Sequence, residues 1–433
     1  MTPKQKEQIL QEIRTMIAGT DFENHVFMVG GAVRDELMGL PVKDLDICVD
    51  LPDGGIKLAL FITHQQQTYR KKSHPELFQA YGIARFHLAA FPHIELECVQ
   101  TRKERYENRD SRNPVTEFAP LPEDCLRRDL TINALYKNIS TGEIVDITGN
   151  GLPDLKNHIV RTPRQPFITF DEDGLRLLRV IRFASRFGWT IEAETFQGLK
   201  DCASRITTIT QDRITDEISR MLCGANPAYA LRLLKETGLL QYVMPEWNEM
   251  PEQQWNFLLQ LAETTAPELD CKLTAMLYLT GAEEALCILR RMNYPVDMQK
   301  KVQALHHCLH DLDDVSDDTR NLSDAALREL QYRWGESAPK VLDIIEAVMK
   351  YQPESKPDLV GNIRQRNRQM QEEGTACFAL KLPVNGKDIM QEMQLKPGPQ
   401  IKDFMNRALA LCFENPRISK AEILKHLINI AHC

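Results

Sequence analysis

The chain has 433 residues, 43% of them apolar and 26% charged, with a formal net charge of −8. That is the balance of a globular protein, long enough for several packed units, and the acidic excess means any contact with a polyanion must come from local basic clusters. No apolar run reaches the roughly 18 residues of a membrane span, MTPKQKEQIL reads as a helix start rather than a signal peptide, and the 11 cysteines include no Cys-x-x-Cys pair; together these indicate a cytoplasmic protein with reduced thiols and no structural zinc.

Residues 4–18 have the pattern of a helix packed beside a first strand, Val26–Val29. The strand stops at Gly30 and Gly31, and a short amphipathic helix from Ala32 to Leu40 follows, closed by Gly39 and Pro41. Two glycines between strand and helix let an anion approach the backbone and face the N–H groups of the helix start. Arg34, in the first turn, can add a charge-assisted fork to phosphate oxygens. The next strand, Leu45–Val49, puts Asp44 and Asp46 on one face and Leu45 and Ile47 on the other. Two carboxylates at that spacing make a hard-metal site, because their like charges call for a cation between them.

A helix over Ile56–Gln66 and strands over Ala84–Leu88 and Ile94–Val99 come next. In the last strand Glu95 and Glu97 share a face, which is either a plain exposed surface or, if this strand adjoins Asp44 and Asp46, a third carboxylate at the same metal. A basic loop follows, with Arg102, Lys103, Arg105, Arg109 and Arg112 interrupted by Tyr106. It reads as a solvated face or as a handle for triphosphate or RNA phosphates. In LRRDLTINAL, Asp129–Leu135 reads as a helix start; Arg128 and Asp129 suit a phosphate and a ribose, or a simple helix cap.

Taken together, GGAVRDELMG followed by DLD, IELECVQTRKERY, RRDLTINAL, DITGNGLPDL and FDEDGLRLLRVIRFASRFG resemble, in that order, the class II tRNA nucleotidyltransferases, which share a fold with bacterial poly(A) polymerases. The resemblance covers residues 25 to about 245 strongly and the rest more loosely. It implies an α+β fold, with a polymerase-β-like nucleotidyltransferase head followed by all-helical neck, body and tail. It also implies Mg²⁺-dependent addition of CMP and AMP to the 3′ end of tRNA. By position it puts the metal carboxylates on Asp44, Asp46 and Glu97, triphosphate contacts on Gly31 and Arg34 beside Gly30, and a nucleotide-contacting arginine on Arg128. Leu130 and Thr101 stand where the family usually has aromatic residues, departures that could reshape the nucleotide pocket.

Substrate choice can be argued from hydrogen bonding. Asp171–Arg186 reads as one helix, which places Asp173 and Arg176 on one face. A carboxylate accepts and a guanidinium donates, matching the amino group and ring nitrogen that cytosine and adenine share. Uracil and guanine present the reverse and would leave polar groups unpaired. The resemblance assigns the same pair as an amino-acid template. Arg179, Arg182 and Arg186 continue that side as candidate nucleotide and phosphate contacts.

Beyond residue 200 the pattern is helical throughout. Tyr278 and Leu279 occupy the places where relatives often carry the His-Asp pair of a phosphohydrolase, and His306 and His310, one turn apart, have no upstream ligand partners. Arg364, Arg366 and Arg368 form a basic strip, and Lys387, Lys396 and Lys402 flank a Gly-Pro turn resembling the family's tRNA-binding tail. The expected organisation is a head at 1–150, a neck at 151–220, a body at 221–345 and a tail at 346–433. The expected activity is CCA addition to tRNA from CTP and ATP. A poly(A) polymerase, a CC-only or A-only enzyme, and a non-catalytic RNA-binding protein are the alternatives, the last opposed by retention of all three carboxylates. Arg102 and Arg112 join the tail lysines as candidate RNA contacts.

Overall fold

The computed structural model describes residues 1–66, 74–105, 115–312, 322–351 and 357–431. They divide into two units, Met1–Met250 and Pro251–Cys433.

The first unit is built on a seven-stranded sheet. Its strands are β1 (Val26–Val29), β2 (Leu45–Val49), β3 (Glu76–Phe78), β4 (Ile83–His87), β5 (Glu95–Gln100), β8 (Leu135–Asn138) and β9 (Ile144–Asp146), with β6 (Arg102–Arg105) and β7 (Val115–Phe118) forming a separate ribbon. The order is β3-β4-β5-β2-β1-β8-β9. Among the described strands of this sheet only β2 and β5 pair in parallel, with Asp46 opposite Glu97; its other neighbours are antiparallel.

Alternation along the strands makes two cores, since successive side chains leave opposite faces. Val26, Met28, Leu45 and Ile47 join Ile9, Ile13 and Ile17 of α1 (Pro3–Ile17) and Leu58 and Ile62 of a later helix. Phe27, Val29 and Cys48 face Leu121, Cys125 and Tyr136 on the other side. β1 is therefore buried on both faces. The short α2 (Gly31–Leu37) leaves β1, and α3 (Gly54–Gln66) lies flat on the sheet because Gly55 lacks the Cβ that would meet the Cys98 and Gly82 carbonyl oxygens at 2.7 Å.

Helices α4 (Leu121–Leu126) and α5 (Gly151–Asn157) close the sheet. A two-stranded pair, β10 (Ile159–Val160) and β11 (Thr190–Ile191), brackets α6 (Pro166–Glu172) and α7 (Leu175–Phe187), and α8 (Ala193–Asp201), α9 (Gln211–Leu222), α10 (Pro227–Glu236), α11 (Leu240–Val243) and α12 (Pro245–Asn248) complete the unit.

Two expectations fail here. Asp171–Arg186 is not one helix: α6 ends at Glu172, Asp173 is extended (φ −146°), and α7 begins at Leu175. The segment from Asp129 to Leu135 is a single 3₁₀ turn, Thr131–Asn133, leading into β8. The reason is tertiary: Leu130 and Ile132 are fully buried and Leu135 enters the sheet, so burial overrides the local helical pattern.

The second unit contains α13 (Glu252–Thr264), α14 (Leu269–Met276), α15 (Ala282–Arg291), α16 (Val296–Leu309), α17 (Asp324–Trp334), α18 (Ala338–Met349), α19 (Pro357–Glu372), α20 (Gly386–Glu392), α21 (Gln400–Glu414) and α22 (Lys420–Ala431). One core gathers around Leu327, Trp334, Val341 and Ile345, and a smaller one around Ile389, Cys412 and Leu427. The boundaries expected at 220/221 and 345/346 would cut through α9 and α18.

Candidate active site

The Gly30–Gly31 turn requires glycine, because Gly30 has φ +68° and its N–H donates to the Leu135 carbonyl at 3.2 Å. One turn later Arg34 folds back over it. Its guanidinium donates to Asp35 Oδ1 at 2.8 and 2.7 Å and to Asn133 Oδ1 at 2.5 Å. The Phe183 and Phe187 rings of α7 cover it at 5.1 and 5.2 Å. Burial lowers its pKa, opposed by Asp35. Arg34 is thus held in one orientation by Asp35 and Asn133 at the edge of the glycine turn.

Asp44 immediately precedes β2 and Asp46 lies within it, and the parallel register brings Glu97 of β5 directly beside Asp46. The three carboxylates line one cleft of about 650 Å³ together with Lys43, His93 and Glu95. Asp44 and Asp46 also line a second cleft of about 830 Å³, shared with Gly31, Arg34, Arg182 and Arg186. Partial desolvation raises the Asp46 pKa, although the residue is exposed at the cleft, Glu97 and Asp44 raise it further, and Arg128 opposes them. Acceptor-only oxygens at one cleft suit a divalent cation, although among the described residues the group whose ligand atoms all lie within 4.8 Å of one another is Glu268, Asp270 and Cys271 of the second unit. Glu97 also accepts from Arg85 Nε at 2.8 Å, directly across the β4–β5 pair.

Behind the metal-binding candidates lies a buried charge network. Asp124, with no exposed side chain, accepts from Arg127 at 2.7 Å, Arg128 at 2.9 Å and the Tyr136 hydroxyl at 2.7 Å. Burial alone would raise its pKa, but Arg128, Arg127 and Tyr136 outweigh it and hold the carboxyl well below the usual range. Arg128 therefore donates inward while still acting on Asp46 through its charge. Asp129 is buried and accepts from Arg179 at 2.8 Å and Asn133 at 3.1 Å; despite burial, Arg179 and Asn133 lower its pKa. Arg179, in turn, feels the charges of Glu217 and Asp173.

Asp173 and Arg176 do not pair with each other. Asp173 accepts from the Leu175 N–H and from Arg213, each at 3.0 Å. Arg176, 6% exposed, donates to the Thr169 carbonyl and to Glu172, each at 3.0 Å. Neither residue lines the two clefts, whereas Arg182 does, held by Glu217 at 2.5 Å. Leu130 and Thr101 are fully buried and line neither cleft, so their departure from the family pattern acts on packing.

Among the RNA-contact candidates, Arg102 is half-buried and donates to the Tyr81 carbonyl at 3.3 Å, while Arg112 lies outside the described residues, as do Tyr106 and Arg109. Lys387, Lys396 and Lys402 are exposed in the second unit. In the same unit Arg364 pairs with Asp343 and Glu346, and Arg366 with Asp324, so these two arginines of the strip are internally neutralised, while Arg368 is exposed. His306 is buried against the Leu277 carbonyl at 3.1 Å, and His310 stacks on Tyr278.

Sequence reading missed Asp124, Asn133, Tyr136, Arg213 and Glu217. For Asp124 a signal existed: an acid three and four residues before Arg127 and Arg128 at the end of a short helix.

Paired strand carboxylates, a glycine turn and a flanking arginine row on this sheet define a nucleotidyltransferase. Residues 26–161 match the family model of the poly A polymerase head domain, 188–250 that of a probable RNA and SrmB binding site of polymerase A, and 267–414 that of tRNA nucleotidyltransferase domain 2. The chain belongs to the class II CCA-adding tRNA nucleotidyltransferase family. It is 28% identical to tRNA nucleotidyltransferase cca2 of Schizosaccharomyces pombe over 93% of this chain and 92% of that protein. It is 26% identical to the CCA-adding enzyme of Pediococcus pentosaceus, covering 97% and 96%. The mitochondrial CCA tRNA nucleotidyltransferase of Saccharomyces cerevisiae is 37% identical, but over only 49% of this chain and 41% of that protein. The fold matches the Bacillus stearothermophilus CCA-adding enzyme in complex with CTP at a TM-score of 0.75 and 23% identity, covering 100% and 98% of the chains. Nucleotidyltransferases of this family use divalent metal ions, and among the described residues no helix is long and apolar enough to cross a membrane.

Proposed function

We propose that this protein adds C, C and A without a nucleic-acid template to the 3′ end of tRNA. The observation that carries the reading is the register of β2 and β5, which sets Asp46 beside Glu97 with Asp44 at the same cleft. In each step the terminal 3′ oxygen of the tRNA forms a bond to the α-phosphorus of CTP or ATP, the bond to the β-phosphate oxygen breaks, and pyrophosphate leaves. Asp44, Asp46 and Glu97 are the residues that would hold Mg²⁺, which when bound acidifies the attacking hydroxyl and offsets charge on the departing pyrophosphate.

Gly31 lets the triphosphate approach the start of α2, with Arg34 and Arg182 as cationic walls whose orientation is already fixed by Asp35, Asn133 and Glu217. Arg128 and Asp129 back this wall, and Asp173 and Arg176 read the base by the acceptor and donor pattern that C and A share. Lys387, Lys396 and Lys402 contact tRNA phosphates. We read residues 1–150 as the head, with neck, body and tail limits falling at helix ends, and place the protein in the cytoplasm, where its mostly buried free thiols stay reduced.

The test offers tRNA transcripts ending at the discriminator base, at C or at CC with each nucleotide singly and together, followed by sequencing of the ends. Growth that stops at CCA supports the reading. A run of A on any RNA would mean a poly(A) polymerase, and arrest at CC or addition of A alone a partial enzyme. Asp44→Ala and Asp46→Ala should each lower transfer by on the order of a thousandfold or more while tRNA binding persists; unchanged transfer would remove the metal assignment.

A further inference from the structure

Helix α9 carries Arg213 and Glu217, four residues apart and therefore on one face. That face meets the α6–α7 break and α7. Arg213 Nη2 donates to Asp173 Oδ2 at 3.0 Å, and Glu217 accepts from Arg182 Nε at 2.5 Å. Asp173 itself is outside any helix, in extended backbone (φ −146°, ψ 105°), so no helical geometry fixes its side chain. Among the described residues two hydrogen bonds hold the carboxylate, from the Leu175 N–H on Oδ1 and from Arg213 on Oδ2, with the Arg179 charge acting from farther off.

We propose that Arg213 is a positioning residue for base selection, holding the Asp173 carboxylate in the orientation that accepts a hydrogen bond from the exocyclic amino group of cytosine or adenine. This rests on the reading of Asp173 as a base-contacting residue. Each carboxylate oxygen has two acceptor sites, so after Leu175 and Arg213 are satisfied one site per oxygen is left for the base. With Arg213 gone, the Leu175 N–H is the one hydrogen bond left to the group among the described residues, so the carboxylate can turn about its last torsion and its open acceptor no longer points one way. A sequence search for base-reading groups passes over Arg213, because it stands 40 residues from Asp173.

The bland alternative is an ion pair that merely joins two helices. The Arg213 side chain is 48% exposed, and pairs that exposed add little to stability. A structural role alone would move the melting temperature and leave nucleotide choice intact; a positioning role would do the opposite.

The experiment uses the full-length enzyme and its Arg213→Ala, Arg213→Lys and Asp173→Ala variants. It measures kcat/KM for CTP against UTP on tRNA ending at the discriminator base, and for ATP against GTP on tRNA ending in CC. Arg213→Ala should lose about tenfold in selectivity, the scale of one charged hydrogen bond. Its KM for tRNA and its melting temperature should stay unchanged, and Arg213→Lys, which keeps a donor, should recover part of the selectivity. If Asp173→Ala relaxes selection and Arg213→Ala does not, the positioning role is overturned and the base-reading role stands. If Asp173→Ala leaves selection unaltered, both fall.

Discussion

Asp124 is the residue whose charge the head can least do without. It is fully buried, and its two oxygens satisfy Arg127, Arg128 and the Tyr136 hydroxyl at once. Replacement by Asn keeps the shape and removes the charge, leaving two guanidinium groups without their buried counterion. Such a loss costs about 3 kcal/mol, so Asp124→Asn should melt well below the parent protein. The pH dependence has a definite sign. The native carboxyl titrates below its ordinary value of 3.8, so its stabilisation is complete above that pH and is lost only as pH falls further, through the depressed native value. The gap in melting temperature between parent and variant should therefore hold steady from neutral pH to about 5 and close below about 4. A gap that closes nearer neutrality would contradict the ionised, tightly paired Asp124. Arg128 would lose its anchor in the variant as well, so reduced transfer should accompany reduced stability.

The α6–α7 break carries Asp173, the residue proposed above to read the base, and Gly174 is what allows it to lie against its neighbour. Its φ of −60° suits any residue, but an added Cβ would stand 2.6 Å from the Arg205 carbonyl oxygen, a backbone atom with no rotamer to yield. Gly174→Ala should destabilise the protein by about 1–3 kcal/mol and shift nucleotide selectivity with it, as a melting curve and a CTP/UTP comparison would show. Nothing in the sequence forecast this break. FDEDGLRLLR carries a continuous helical pattern without proline, and one glycine is tolerated inside many helices. The head strands, by contrast, were legible, because apolar and acidic residues alternate at the start of both Glu95–Gln100 and Leu45–Val49. Alternation put Asp46 on the face of Asp44 and Glu97 on the face of Glu95 within each strand; that the two faces coincide and adjoin needed the topology. The 3₁₀ turn after Asp129 and the partners of Arg128, Arg179 and Arg182 stayed hidden. For Arg179 and Arg182 those partners sit 50 and 35 residues away, which no local period encodes, whereas the partners of Arg128 are near in sequence and are fixed by how α4 and β8 pack.

Each of the two units has hydrophobic clusters of its own, the condition for unfolding as separate cooperative blocks. Calorimetry should resolve two transitions. CTP with Mg²⁺ at a hundred times its dissociation constant should stabilise only the first unit, by about 2.7 kcal/mol; an equal shift of both would place the nucleotide elsewhere. The distribution of charge has a wider consequence. Arg176, Arg179, Arg182, Arg205, Arg213, Arg364 and Arg366 each face a carboxylate of their own chain. A cation already neutralised from within adds little to the displacement of the small ions condensed around an RNA, and it is their release that makes polyanion binding so sensitive to ionic strength. Titrations of tRNA binding across a range of KCl concentrations should accordingly give a log–log slope shallower than about −3, where proteins with many free phosphate contacts give far steeper ones. Recognition by this chain would then persist through swings in cellular electrolyte that strip more conventionally basic RNA binders from their targets.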